Sequence, residues 1–362
     1  MDSPKQNNMN QLMYSQAYKI EENDRIIIVT DGQEYDDFTA VCIMIWKYGK
    51  KIKAIVVTGN AFANQGVSMT TLYNLVVMMM GCPHIKIFQG SALSLFDYEN
   101  DFQDTFRKSV SNEGLTIVDR LYGAINMIPC NKTTKIHYNI EEYAASIDNL
   151  VIMCFVTLTD VIDIGRYAKV IYVQGGRFNP EVILPPRSKV KANNIASYNL
   201  YLDPHAASIA LQRYGDKMFF VSSDASSKIK VDQSLVDNLV EIQRKRCNAG
   251  CPSKILAVLI KMYQGMLEGR DSSSLSDVMP VLVAMNPNIV TEMTNNESIV
   301  INDQVDLITE FNEEQNTFRT ELIFSDRIGG MDLSPDGTLT HLVKDVNADK
   351  AYDMFYKIMR RI

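Results

Sequence analysis

The chain reads as an α/β protein with a mostly parallel open sheet covered by helices on both faces. Two observations lead there. Near-continuous apolar, β-branched runs recur along the first two-thirds of the 362 residues, and stretches of helical periodicity separate them. Strands apolar throughout, rather than alternating, are buried on both faces. Their alternation with helices is the mark of parallel βαβ units.

Taken in order, "RIIIVT" (25–30) is a strand followed by a helix over roughly 37–49, and "IKAIVVTG" (52–59) a strand followed by a helix over roughly 65–81. The strands "IKIFQG" (85–90), "NLVIMCFV" (149–156), "KVIYVQGG" (169–176) and "KMFFVSSD" (217–224) continue the series. The Pro-containing stretch 179–194 has the composition of a long surface loop, and 233–270 that of one or two helices. A polar break, "SSSLSD" (272–277), precedes another helix. The tail alternates like antiparallel strands over 318–346 and closes as a helix over 347–361. Residues 1–24 form a polar N-terminal segment, and 25–362 are expected to make a single domain.

Composition narrows the function. A net charge of −7 argues against a nucleic-acid partner, because phosphate binding needs concentrated Lys and Arg. The dense basic run Arg244-Lys245-Arg246 lies in a mixed-charge helical pattern and reads as a solvated face. The first two dozen residues lack the apolar core of a signal peptide, and there is no apolar stretch of about 18 residues to span a membrane. The six cysteines are scattered; Cys247 and Cys251 have no second Cys or His pair nearby to complete a zinc site. A reduced, cytoplasmic setting is expected. Trp46 and the run "VVMMMG" (76–81) read as core filler.

In a parallel sheet, ligands bind outside the carboxyl ends of the strands. There the first strand runs into "DGQEYDD", with Asp31, Glu34, Asp36 and Asp37 in one short loop. Others end at Gly59-Asn60, Thr157–Asp160 and Gln174-Gly175-Gly176, and the segments "SYNLYLDP" (197–204) and "SSLSD" (273–277) add more oxygen donors. Hard oxygen ligands select Ca²⁺ or Mg²⁺, and a divalent cation would keep crowded carboxylates ionised. On its own the loop is equally well explained by acids opening a helix, where they favour its dipole. A phosphatase or P-loop enzyme is poorly supported, since there is no G-x-x-x-x-G-K-[ST] and "VTDG" lacks the second Asp such phosphatase loops carry.

The order of these elements resembles the nucleoside hydrolase family over residues 25–360, including its Rossmann-like core. "DGQEYDD" is similar to its D-P-G-x-D-D loop, Gly59-Asn60 to its Gly-Asn strand end, "IKIFQGSALSLF" to its next strand, and "NEGLTI" (112–117) to its Gly-Leu loop. "FVTLTD", "VIYVQGGRF", "YNLYLDPHAA" and "LSDVMPVLVAMNP" follow in the family's order. Each match is loose; the eight together point to the fold.

The resemblance implies Ca²⁺-dependent hydrolysis of the N-glycosidic bond of a ribonucleoside or related N-riboside, to ribose and free base, as in purine or pyrimidine salvage. It also implies a homo-oligomer, dimer or tetramer. Carried over, Asp31, Asp37, Asp277 and the Phe155 carbonyl would hold Ca²⁺, and Asp31 would accept a proton from the attacking water. Asp36, Asn60 and Asn199 would bind the ribose hydroxyls, with Gln174 and Asp203 close behind. Departures cluster elsewhere. The acidic loop has one extra residue and lacks the Pro. Ser276 stands where many members carry a His that assists base departure, Ser197 where a Glu grips the ribose 5′ end, and Val110 where another base-pocket His is common. None of His84, His137, His205 or His341 falls at a base-protonating position, and His205 is expected to face solvent. Tyr263 is a candidate on the base side, although a core position on an amphipathic helix is the commoner reading. The alternative to a hydrolase of shifted specificity is the same fold kept for binding or assembly, with little or no catalysis.

Overall fold

The computed structural model describes residues 19–32, 34–59, 66–92, 94–95, 135–177, 195–268, 271–312 and 317–362. Asn60, Val110 and the 112–117 and 179–194 stretches lie outside them.

Strand β1 (Arg25–Thr30) leads through the acidic loop into helix α1 (Tyr35–Tyr48), and β2 (Ile52–Val57), α2 (Gly66–Met79) and β3 (Lys86–Gln89) follow. Next come β4 (Ile136–His137), α3 (Ile140–Ala145), β5 (Leu150–Cys154), α4 (Val161–Ile164) and β6 (Ala168–Gln174). Helices α5 (Tyr198–Leu202) and α6 (Pro204–Tyr214) lead to β7 (Met218–Val221). The chain then forms α7 (Ser223–Ser226), β8 (Lys230–Val231), α8 (Gln233–Asn248), α9 (Lys254–Leu267), β9 (Ser273–Ser274) and α10 (Val278–Met285). Strands β10 (Val290–Ile301), β11 (Val305–Asn312), β12 (Thr317–Phe324), β13 (Met331–Leu333) and β14 (Thr338–Val346) precede the last helix, α11 (Ala348–Met359).

Among the described residues ten strands form one sheet, in the order β13-β10-β14-β7-β6-β5-β1-β2-β3-β4. From β4 to β7, and on to β14, neighbours are parallel. Successive side chains of a strand point to opposite faces, and β1 obeys this directly. Ile26 and Ile28 enter one apolar cluster, Ile27 and Val29 the other. Both faces are therefore covered, which is why the strand is apolar at every position. Truncating any of these isoleucines to Ala should cost about 2–5 kcal/mol.

The sheet order places the functional end. From β1 the chain steps outward through β2, β3 and β4, then returns to β5 on the other side of β1 and proceeds away. The direction thus reverses between β1 and β5, leaving a crevice at their carboxyl ends, where ligands bind in sheets of this kind. Val29 pairs with Cys154, so Asp31 and Phe155 both emerge at that crevice.

Two expectations need correction. The antiparallel tail is larger than 318–346, because β14 pairs with β10, while β12 pairs with β11 in a separate two-stranded ribbon. His205 does not simply face solvent: its Nδ1 lies 3.0 Å from Asp303 Oδ2 and the side chain is 20% exposed. No helix among the described residues is long and apolar enough to cross a membrane.

Candidate active site

The acidic loop is shaped by its own short-range bonds. After β1, the Thr30 hydroxyl donates to Asp37 Oδ1 and accepts the Gly32 N–H at 3.1 Å, folding the loop back on the strand end. Gly32 has a φ of +71°, and a Cβ there would sit 2.3 Å from the Tyr73 ring. Only glycine meets both demands. Helix α1 then starts at Tyr35 with Asp36 and Asp37 in its first turn, both buried. The Tyr35 hydroxyl bonds Ser273 Oγ and, at 3.1 Å, the Ser274 carbonyl. That latch ties the loop to the segment carrying Asp277.

Asp36, Asp37 and Asp277 each present a carboxylate oxygen within 4.8 Å of the others, and all three are buried. Burial pushes the Asp36 carboxyl up to about 6, opposed by backbone N–H groups of Asp36, Asp277, Asp37 and Ser276. Asp37 is raised well above the usual range by burial and then by repulsion from Asp31 and Asp36, with the Thr30 hydroxyl opposing. For Asp277, burial comes first, then the charges of Asp36, Asp37, Asp31 and Glu34. Asp31 thus belongs electrostatically to the same group. Within it, Asp36 Oδ1 is buried and makes no hydrogen bond. Crowded, dehydrated carboxylates fit a divalent cation, and an all-oxygen donor set favours a hard one.

Across the crevice lies an amide network. Asn199, on α5, directs its side-chain N–H₂ to the Phe155 carbonyl at 2.9 Å, the Gln174 carbonyl at 3.2 Å and Gln174 Oε1 at 2.7 Å. Gln174 in turn donates to Ser226 Oγ at 3.1 Å. A carbonyl oxygen has two lone pairs, so the Phe155 carbonyl keeps one beyond the Asn199 bond. Asp203 stands behind. It caps α6 through the Ala206 N–H at 3.1 Å and accepts from Thr159 Oγ1 at 2.6 Å and the Leu95 N–H at 3.0 Å. The Ser197 hydroxyl accepts the Gly176 N–H at 2.8 Å.

Tyr263 is fully buried on α9. Its hydroxyl lies 2.6 Å from Thr39 Oγ1, which donates to the Tyr35 carbonyl at 2.5 Å. Thr39 has one proton, already given to that carbonyl, so the Tyr263 O–H is the donor of the pair. Its ring meets that of Tyr35 edge-on at 6.1 Å. This is the core position that helical spacing made the commoner reading, and it braces the acidic loop from behind.

Of the residues singled out in the sequence, the fold brings Asp31, Asp36, Asp37 and Asp277 into one group. Phe155, Gln174 and Asn199 form another, with Asp203 as its support. The latch Tyr35–Ser273 and the Thr30 clamp were missed. Tyr35 sits inside the quoted loop, but nothing local marks an aromatic whose partner is 238 positions away. A second clamp was also missed: Asp160 Oδ1 accepts both the N–H and the hydroxyl of Ser91, at 2.9 and 2.8 Å.

Comparison with known proteins places this arrangement. The family model "inosine-uridine preferring nucleoside hydrolase" matches residues 26–352. No curated protein sequence matches the chain. Among solved structures, the inosine-uridine preferring nucleoside hydrolase from Bacillus anthracis is 13% identical with a TM-score of 0.66, covering 94% of this chain and 100% of that one. The purine-preferring ribonucleoside hydrolase from Gardnerella vaginalis is 12% identical with a TM-score of 0.57, covering 93% and 98%. The type III effector protein XopQ, solved with adenosine diphosphate ribose, is 13% identical with a TM-score of 0.58, covering 99% of each chain. At such identities the likeness is one of fold.

Proposed function

The chain belongs to the inosine-uridine preferring nucleoside hydrolase family, and on that premise we propose that it hydrolyses the N-glycosidic bond of a ribonucleoside or related N-riboside. The products are ribose and a free base, and the reaction depends on Ca²⁺. The observation that carries this reading is the buried carboxylate group at the β1/β5 crevice, where four acids from opposite ends of the chain converge.

Asp31, Asp37, Asp277 and the Phe155 carbonyl would hold the ion, which when bound orients water and makes it more acidic. Asp31 would accept the proton of the attacking water as general base. Asp36 accepts from a ribose hydroxyl through its unused Oδ1. Asn199, held by Phe155 and Gln174, contributes to the same grip together with Asn60, while Asp203 keeps the wall in place. Positive charge develops on the sugar as the bond breaks, and the nearby carboxylates stabilise it. Tyr263 acts through Thr39 and Tyr35 as a brace rather than as an acid on the base.

A second reading, binding with little turnover, draws on the likeness to XopQ, an effector solved with adenosine diphosphate ribose. One experiment separates them: metal content of the purified protein, with ribose release from a panel of nucleosides and chromogenic ribosides. Release that vanishes in Asp31→Ala supports hydrolysis. Bound Ca²⁺ without ribose release from any riboside sinks it and leaves binding.

A further inference from the structure

At the other end of the sheet, the C-terminal turns of α1 and α2, the end of α8 and the first turn of α9 enclose a cleft of about 750 Å³. Among the described residues five cations line it, Lys47, Lys50, Lys51, Arg246 and Lys254, with no Asp or Glu side chain; Ile362 lines it too, its backbone oxygen accepting from Ser253 Oγ at 2.9 Å. Its wall is apolar, with Trp46, Met79 and Met80 half-buried against the core. In a chain of net charge −7 this is a local inversion of sign. Lys51 Nζ donates to the Glu21 carbonyl at 2.5 Å, while the Glu21 and Asp24 carboxylates ion-pair with Lys169 at 3.2 and 2.7 Å.

The cleft is also preorganised. Arg246 Nε and Nη1 donate to the carbonyls of Cys251 and Arg360, at 3.1 and 2.9 Å. These neutral acceptors fix the guanidinium without cancelling its charge. Helix α9, 14 residues long, begins here with the buried Ser253 as its cap, so its N-terminal dipole adds to the field. Fixed guanidinium and helix N–H groups recognise phosphate, and the volume is that of a small-molecule pocket. The apolar wall suits a planar ring and would be wasted on a bare inorganic anion.

We propose that this cleft binds an organic phosphate with a planar ring, of which a nucleoside polyphosphate is the simplest example. The phosphates meet Arg246, Lys254 and Lys47, and the ring lies on Trp46 and the two methionines. The site is separate from the acidic crevice, since α1 carries Asp36 and Asp37 in its first turn and the cleft residues in its last, about 15 Å away at 1.5 Å per residue. It stands whether or not the chain hydrolyses ribosides.

Trp46 is the sole tryptophan, so its emission reports on this cleft. The full chain is titrated with ATP, adenosine and inorganic triphosphate. A saturable change with ATP is expected, with adenosine and triphosphate each at least tenfold weaker and ATP affinity falling as salt rises. Arg246→Gln with Lys254→Gln should weaken ATP at least tenfold. Because Arg246 also ties down backbone, the exposed pair Lys47→Gln and Lys254→Gln is measured alongside, with an unchanged melting temperature as the control for folding. No saturable change with ATP, unchanged affinity in both double variants, or adenosine binding as tightly as ATP would overturn the proposal. So would triphosphate binding as tightly as ATP, because the wall would then have no ligand.

Discussion

Removing divalent ions from this protein should make it less stable as pH rises, the reverse of ordinary acid denaturation. Folding lifts the Asp36 carboxyl from 3.8 to about 6. Between those values the folded chain holds a proton that the unfolded chain has lost, so stability falls as pH rises through that window. About two units at roughly 1.4 kcal/mol each give a loss of about 3 kcal/mol, fully developed above pH ~6. Asp37 and Asp277, both also raised well above the usual range by burial and by their neighbours' charges, add a loss of the same sign. A bound Ca²⁺ favours the ionised carboxylates and removes it, and an ion at about 100 times its Kd adds roughly 2.7 kcal/mol by mass action. For 362 residues, an unfolding entropy of about 2.1 cal/mol/K per residue converts 3 kcal/mol into roughly 4 °C. The assay is a pair of thermal melts, with Ca²⁺ and with chelator, across about pH 4 to 8. Their difference cancels every group that titrates alike in both. It should be near zero at the acid end and reach about 4 °C or more near neutrality. Superimposed melts at every pH would refute the reasoning.

Asp277→Asn should stabilise the chelated protein at about pH 8 by roughly 1–3 kcal/mol, since it removes a buried repelling charge, and abolish the Ca²⁺-dependent gain; the same melts read both. Gly32→Ala puts a methyl into the Tyr73 ring from a left-handed backbone and should cost about 1–3 kcal/mol by urea denaturation, with an unchanged midpoint counting against this loop geometry. Asp203→Ala deletes three bonds to a buried carboxylate, a loss of about 2–4 kcal/mol by the same measurement, with Asp203→Asn milder. Tyr263→Phe removes one bond to Thr39 and should cost about 1 kcal/mol, leaving kcat for ribose release within a few-fold. A drop of about 100-fold or more would make Tyr263 the missing acid rather than a brace.

The parallel strands were legible because each is buried on both faces, so hydrophobicity alone marks it. The same logic explains what was missed. Strand β10, "VTEMTNNESIVI", mixes polar and apolar residues, and around it Val300, Leu339 and Leu333 are 37, 52 and 64% exposed. A strand with one face toward water and an edge for a neighbour carries too weak a pattern to stand out. The acidic loop announced itself because like charges beside a buried strand are costly. Asp277 did so less: its segment stood out only as one of several oxygen donors, and the order of motifs singled out the residue, since a lone Asp at a helix start is ordinary. Tyr35, Thr30 and Asp160 work through contacts that exist only once the sheet has folded, and their residue types carry no signal of it.

The distance along the chain between the two halves of the acidic group has a consequence for synthesis. Asp37 and Asp277 are 240 positions apart, from 277 − 37, and at about 5–20 residues per second the ribosome takes roughly 12–50 s to pass from one to the other. Throughout that interval the nascent chain displays three acids of the first loop with the fourth unmade. An ion captured early would be held by a partial set and easily lost. On the proposed reading, firm capture would wait for Asp277, and ion loading would report that the chain has been made and folded as far as α10.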